Sequence, residues 1–195
     1  HLGEGIQSAI SLGAFRSMRI FLLGEVRKQG AYTVSALSTT INALLSCGGI
    51  KETGSLRNIQ LKRGGKIIST LDLYDLLLHG DTNADHSLQP GDVIFVPVVE
   101  KQVSISGAVR RPAKFEIRGG ETLKDALELA GGFEGRAYLS NIRLERLGKD
   151  FRPIVKNLSI PSDSSYKILT GDVISLGSAS SKVMNSVSLL GNVER

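Results

Sequence analysis

Gly24-Glu25-Val26-Arg27-Lys28-Gln29-Gly30 returns as Gly107-Ala108-Val109-Arg110-Arg111-Pro112-Ala113, and begins again as Gly191-Asn192-Val193-Glu194-Arg195. The leading glycines stand 83 and then 84 residues apart. That period exceeds the ~20–50 residues of solenoid repeats, so the chain reads as tandem copies of one small domain. The third copy stops with the sequence, so the chain is expected to be a segment of something longer.

Working outward, the match extends along both copies. Leu44-Leu45-Ser46-Cys47-Gly48-Gly49-Ile50 aligns with Leu127-Glu128-Leu129-Ala130-Gly131-Gly132-Phe133, again at an offset of 83. Leu56-Arg57-Asn58-Ile59-Gln60-Leu61 aligns with Leu139-Ser140-Asn141-Ile142-Arg143-Leu144 at the same offset. At Gly91-Asp92-Val93-Ile94 and Gly171-Asp172-Val173-Ile174 the offset has fallen to 80. The second copy has therefore lost a net three residues after Lys149. A loop absorbs such a change cheaply, because closure entropy depends weakly on length. The predicted boundaries are an N-terminal extension 1–18, a first domain 19–99, a second domain 100–178, and a linker with the third start at 179–195.

Composition permits this division. Hydrophobic residues make up 41% of the 195 and charged residues 22%, enough for packed cores and too balanced for wholesale disorder. The longest apolar run, Val93 to Val99, contains Pro97 and falls far short of the ~20 residues that span a bilayer. The single cysteine, Cys47, forms no internal disulfide and takes the place of Ala130, as a small buried hydrophobe would. The net charge of +5 sits mostly in the second copy, which carries 13 basic and 9 acidic side chains against 8 and 7 in the first.

Within the second copy, Val103, Ile105, Gly107 and Val109 alternate with Ser104, Ser106 and Ala108, the period of a strand with one buried face. Arg110-Arg111-Pro112 turns the chain, and Ala113 to Ile117 returns beside it. Thr122 is a good helix cap with Asp125 three residues on. Leu123, Ala126, Leu127 and Ala130 follow at helical spacing, and Gly131-Gly132 ends the helix. Strands near Ile142–Leu144, Phe151–Leu158 and Val173–Leu176 complete the copy. The first copy repeats this order and adds a short helix, Leu73–His79, before its last strand. A hairpin, one crossing helix and further strands make the element order of a β-grasp domain. The fold class is α+β: two tandem β-grasp domains, each a small mixed sheet packed on one main helix.

The sequence holds no catalytic constellation. His79 and His86, with Asp81 and Asp85, lack the spacing that metal sites use. Gly64-Gly65-Lys66 has neither the first glycine of a P-loop nor the Ser/Thr after its lysine. No serine occupies a Gly-x-Ser-x-Gly elbow. We therefore expect no enzyme activity, no cofactor and no metal. Arg110, Arg111, Lys114 and Arg118 gather near the second hairpin, with Arg143 and Arg146 on a later strand. These six are the candidate contacts for an acidic polymer or a neighbouring subunit. With 5% aromatic residues and no Trp, the chain lacks the stacking platform of a nucleic-acid surface.

The Gly-x-Val start, the helix closed by Gly-Gly-Ile or Gly-Gly-Phe, the Asn-Ile-x-Leu strand and the closing Leu88-Gln89-Pro90-Gly91-Asp92-Val93-Ile94-Phe95-Val96-Pro97 resemble SLBB domains, the soluble-ligand-binding β-grasp repeats. Tandem copies are similar to the periplasmic part of bacterial outer-membrane capsule and exopolysaccharide export proteins. The resemblance implies a structural and transport module that contributes to a ring or conduit for polysaccharide. It implies homo-oligomers of the full-length protein, an inner-membrane co-polymerase or transporter as partner, and membrane contact through parts outside this chain. The alternative is a β-grasp adaptor that captures a small solute or acidic oligosaccharide.

Overall fold

A computed structural model describes residues 16–179. The third Gly-x-Val start at Gly191 lies outside the described residues. The chain divides into two compact units, His1–Val99 and Glu100–Arg195.

In the first unit, β1 (Ser17–Gly24) and β2 (Gly30–Ser35) form the hairpin, followed by α1 (Thr40–Ser46), β3 (Ile59–Arg63), β4 (Lys66–Leu71), α2 (Leu73–His79) and β5 (Val93–Val96). The strand order is β2-β1-β5-β3-β4. β1 and β5 run parallel at the centre, and every other neighbour is antiparallel. Met18, Ile20 and Leu22 of β1, Ile59 and Leu61 of β3, and Ile94 and Val96 of β5 form one buried cluster with Ala43, Leu44 and Cys47 from α1. The intervening residues of β1 therefore face away from the helix, as the two-residue period of a strand demands.

The second unit repeats the plan with β6 (Gln102–Gly107), β7 (Ala113–Glu116), α3 (Leu123–Leu129), β8 (Ala137–Leu147), β9 (Pro153–Leu158) and β10 (Val173–Ser178). Its order is β7-β6-β10-β8-β9, with β6 and β10 parallel. Core positions keep their chemical class across the offset: Val103 for Ile20, Ala126 for Ala43, Ala130 for Cys47, Ile142 for Ile59 and Leu144 for Leu61. Where the first unit has α2, the second has only turns over residues 160–165. β8 begins five residues before the Ile142 that marks it in the sequence. Its early part is held by pairing of Ala137 with Ser178 and by the Ile160 amide donating to Leu139 O at 2.9 Å. Those partners lie too far along the chain for local alternation to show them.

The two main helices differ at their starts. Thr122 forms a full capping box: its amide donates to Asp125 Oδ2 at 2.8 Å, and the Asp125 amide donates to Thr122 Oγ1 at 3.3 Å. Thr39 receives only the Asn42 amide, at 3.5 Å. Thr122→Ala is expected to destabilise the second unit by about 1 kcal/mol, and Thr39→Ala the first unit by less. Urea titrations with unchanged m-values would register both losses.

Candidate functional site

Each unit carries the same ion pair, a buried aspartate held by a partly exposed arginine. The segment Gln89-Pro90-Gly91-Asp92 turns the chain into β5 and leaves Asp92 0% exposed. Arg63, the last residue of β3, meets it in a parallel fork: Nε lies 2.8 Å from Oδ1 and Nη2 lies 2.9 Å from Oδ2. Asp92 Oδ2 also accepts the Gln89 amide at 2.7 Å. In the second unit Asp172 is 1% exposed, Arg146 Nε lies 2.8 Å from its Oδ1 and Nη2 lies 2.7 Å from its Oδ2. The Leu169 amide again donates to the carboxylate, at 2.8 Å. Two buried carboxylates are thus satisfied by the same bidentate arginine and the same turn amide, the geometry in which such pairs are strongest. Burial pushes the Asp92 carboxyl up, but the Arg63 guanidinium and the Gln89 amide outweigh it and hold it below the ordinary carboxylate range.

The clasp ties the sheet together. The amide of Gly91 donates to Arg19 O on β1, and that of Gly171 to Gln102 O on β6, both at 2.8 Å. Asp92 O accepts the Phe21 amide and Asp172 O the Ser104 amide, both at 2.9 Å. The Pro-Gly-Asp or Thr-Gly-Asp turn therefore starts the central parallel pair, and the arginine fastens it to the antiparallel neighbour.

Arg146 is not a solvent-facing cation of the kind its sequence neighbourhood suggests. It continues the core-side series Ile142, Leu144, Arg146 and spends its guanidinium on Asp172 and on Lys167 O at 3.0 Å. The signal for the pair lies in the repeat, where an arginine recurs at 63 and 146 and an aspartate at 92 and 172.

The other five candidates do not form one cluster. Arg110 and Arg111 sit exposed at the β6–β7 turn, where their amides donate to Gly132 O at 3.2 Å and Ala130 O at 3.0 Å. The Arg111 side chain lies over Gly131, where an added Cβ would stand 3.0 Å from its Nε. Lys114 lies on the edge strand β7 in register with Ser104, on the sheet face away from the helix. Arg118 follows the opposite end of β7, where its amide donates to Glu121 Oε1 at 2.6 Å. Arg143 shares the open face with Lys114, but its Nε pairs with Glu145 Oε1 at 2.8 Å. Among the described residues no three His, Cys, Asp or Glu side chains group to hold a metal ion.

The fold and its duplicated clasp define a tandem β-grasp protein, two mixed five-stranded sheets each closed by the same Gly-Asp turn. Family models described as SLBB domain match residues 18–96 and 102–155, and the chain belongs to the SLBB domain family. It is 36% identical over 170 residues to the EPS I polysaccharide export outer membrane protein EpsA of Ralstonia nicotianae, covering 85% of this chain and 44% of that protein. It is 30% identical over 148 residues to the polysialic acid transport protein KpsD of Escherichia coli, covering 74% of this chain and 26% of that protein. The chain thus spans less than half the length of these relatives.

Proposed function

We propose that this chain is a non-enzymatic structural and transport module of a polysaccharide export protein. Its tandem SLBB units contribute to a ring or conduit in the periplasm, associated with the outer membrane. The observation that carries this reading is similarity across both units, 85% of the chain, to a protein named for polysaccharide export at the outer membrane. The parent protein works as a homo-oligomer and receives polymer from an inner-membrane co-polymerase or transporter. A strain lacking the parent gene is expected to lose surface polysaccharide. The full gene restores it, and a gene lacking residues 19–178 does not. Unchanged surface polymer in the deletion strain would remove the reading.

A second reading rests on Arg110 and Arg111, both exposed at the β6–β7 turn. Together they offer an acidic polymer a cationic edge. Arg110→Ala/Arg111→Ala is expected to weaken binding of an acidic oligosaccharide about tenfold at low salt, and far less at high salt. Calorimetric titration at two ionic strengths tests this, and equal affinities for variant and parent would assign the turn to solvent.

A further inference from the structure

The duplication supplies an internal control, because the two units share core and register but not surfaces. On the open sheet face of the first unit, Phe21 pairs with Val93, Leu23 with Phe95, and Val93 with Lys62. The same register positions of the second unit hold Ser104 beside Val173, Ser106 beside Ser175, and Glu145. Phe21 and Leu23 are 37% and 39% exposed, and serines replace them and Phe95 in the second unit, whose open face keeps the exposed Val173 and Val155.

The helix shows the same contrast on the other side of the sheet. Leu37 precedes α1 and Leu45 lies in its last turn, 69% and 71% exposed, with Ile41 one turn before Leu45, half-buried and packed in part against the unit's own core. Their counterparts are Gly120, Glu128 and Lys124, the last two joined as an exposed ion pair at 3.7 Å. A β-grasp unit therefore does not need either apolar face in order to fold. Among the described residues, the first unit alone carries both the Phe21–Leu23 and the Leu37–Leu45 surfaces, on opposite sides.

Their charges are opposite as well. Lys62 Nζ lies 4.5 Å from the centre of the Phe95 ring, and Arg19 lies 5.9 Å from that of Phe21, so the sheet face is cationic. The start of α1 abuts an acidic loop. The Thr40 amide donates to His86 O at 3.1 Å and the Ile41 amide to Asp85 Oδ1 at 3.0 Å, with Asp81 nearby in sequence. Arg27 stands at the far end of the helix, beside Gly48.

We propose that the first unit docks head-to-tail on a second copy of this chain. The Phe21–Leu23–Phe95 sheet face of one copy covers the Leu37–Ile41–Leu45 face of the next, with Arg19 and Lys62 toward Asp81 and Asp85. Two different faces on opposite sides make a heterologous contact, which builds a ring where the rotation between copies closes and a filament where it does not. The proposal rests on the ring reading above and names the unit and surfaces that build it.

Sedimentation over a concentration series of the 195-residue chain tests it. Phe21→Ser/Phe95→Ser, which copies Ser104 and Ser175, is expected to keep the fold and to weaken self-association about tenfold or more. Leu45→Glu, which copies Glu128, should do the same from the other side. Mixing the two variants leaves one intact sheet face and one intact helix face, so 1:1 dimers form and growth stops there. Self-association unaffected by either variant overturns the proposal. So does a parent chain that stays monomeric into the millimolar range, or a mixture without dimers. A monomeric chain whose parent gene is still required for surface polysaccharide removes the docking and leaves the export reading standing. Intact self-association with a dispensable gene does the reverse.

Discussion

Asp172→Ala is expected to destabilise the second unit by about 3 kcal/mol, the low end of the range for removing one partner of a buried ion pair, because the Arg146 side chain keeps 21% of its surface in solvent. The loss comes from what remains behind. Arg146 stays on the core side of β8 with its two bonds to the carboxylate lost and Lys167 O still accepting from Nη2, and the Leu169 amide loses its acceptor. An unmatched buried donor costs its full desolvation, whereas the intact pair returns only part of what burial took. Asp172→Asn should cost less, because the amide oxygen still accepts a hydrogen bond. In a denaturant titration followed by signals from each unit, only the second transition should move. An Asp172→Ala chain as stable as the parent would show that the clasp is incidental.

The equivalent change at Asp92 carries a pH signature. Its folded carboxyl lies below the ordinary range, so the pair's contribution is fully present above the unfolded value of about 4 and is lost as pH falls through the depressed folded value. Asp92→Ala should therefore lower stability at neutral pH and flatten the acid limb of the first unit's stability curve. A loss of equal size at pH 7 and in strong acid would contradict this assignment.

Much of this architecture was legible because the chain states it twice. Ile20 and Val103, or Leu61 and Leu144, are each an ordinary strand residue alone. At a fixed offset they become a register, and a register fixes which face is buried. The helix ends were legible for a local reason, since Thr122 with Asp125 and the Gly131-Gly132 pair act within a few residues of themselves. The clasp was not. Arg146 and Asp172 are separated by 26 residues in sequence, and a charge read in isolation looks solvated until its partner is located. The early half of β8 was hidden likewise, since Ala137 owes its strand to Ser178. The basic group dissolved because Arg110, Lys114 and Arg118 occupy the turn, the middle and the far end of one hairpin strand. Nearness in sequence along a strand separates side chains rather than gathering them.

Gly107→Ala is expected to unfold the second unit, and Gly24→Ala the first. Both glycines have φ of 84°, where an alanine alone costs about 1–2 kcal/mol. Steric contact costs more than the backbone angle does. A Cβ on Gly107 would stand 1.9 Å from Leu176 O, and one on Gly24 would stand 2.1 Å from Val96 O. Neither oxygen can withdraw freely, because each accepts the next amide of the phrase: Ala108 N at 2.9 Å and Glu25 N at 2.8 Å. Relief requires parting β6 from β10, or β1 from β5, the parallel pairs at the centre of each sheet. For a small domain holding about 5–15 kcal/mol in all, that separation removes much of the fold. Gly132→Ala distinguishes strain from collision. Its φ is also 84°, yet nothing lies within 4 Å of the added carbon, so it should show the cost of the backbone angle alone. Amide exchange on the three variants would measure this. Slow-exchanging core amides should disappear in the unit carrying Gly24→Ala or Gly107→Ala, and persist with modest loss in Gly132→Ala. Equal protection in all three would mean that conformation alone selects the glycine. The expected inequality instead ties the recurring Gly-x-Val phrase to the crossing of two central strands, which any copy of the unit has to make.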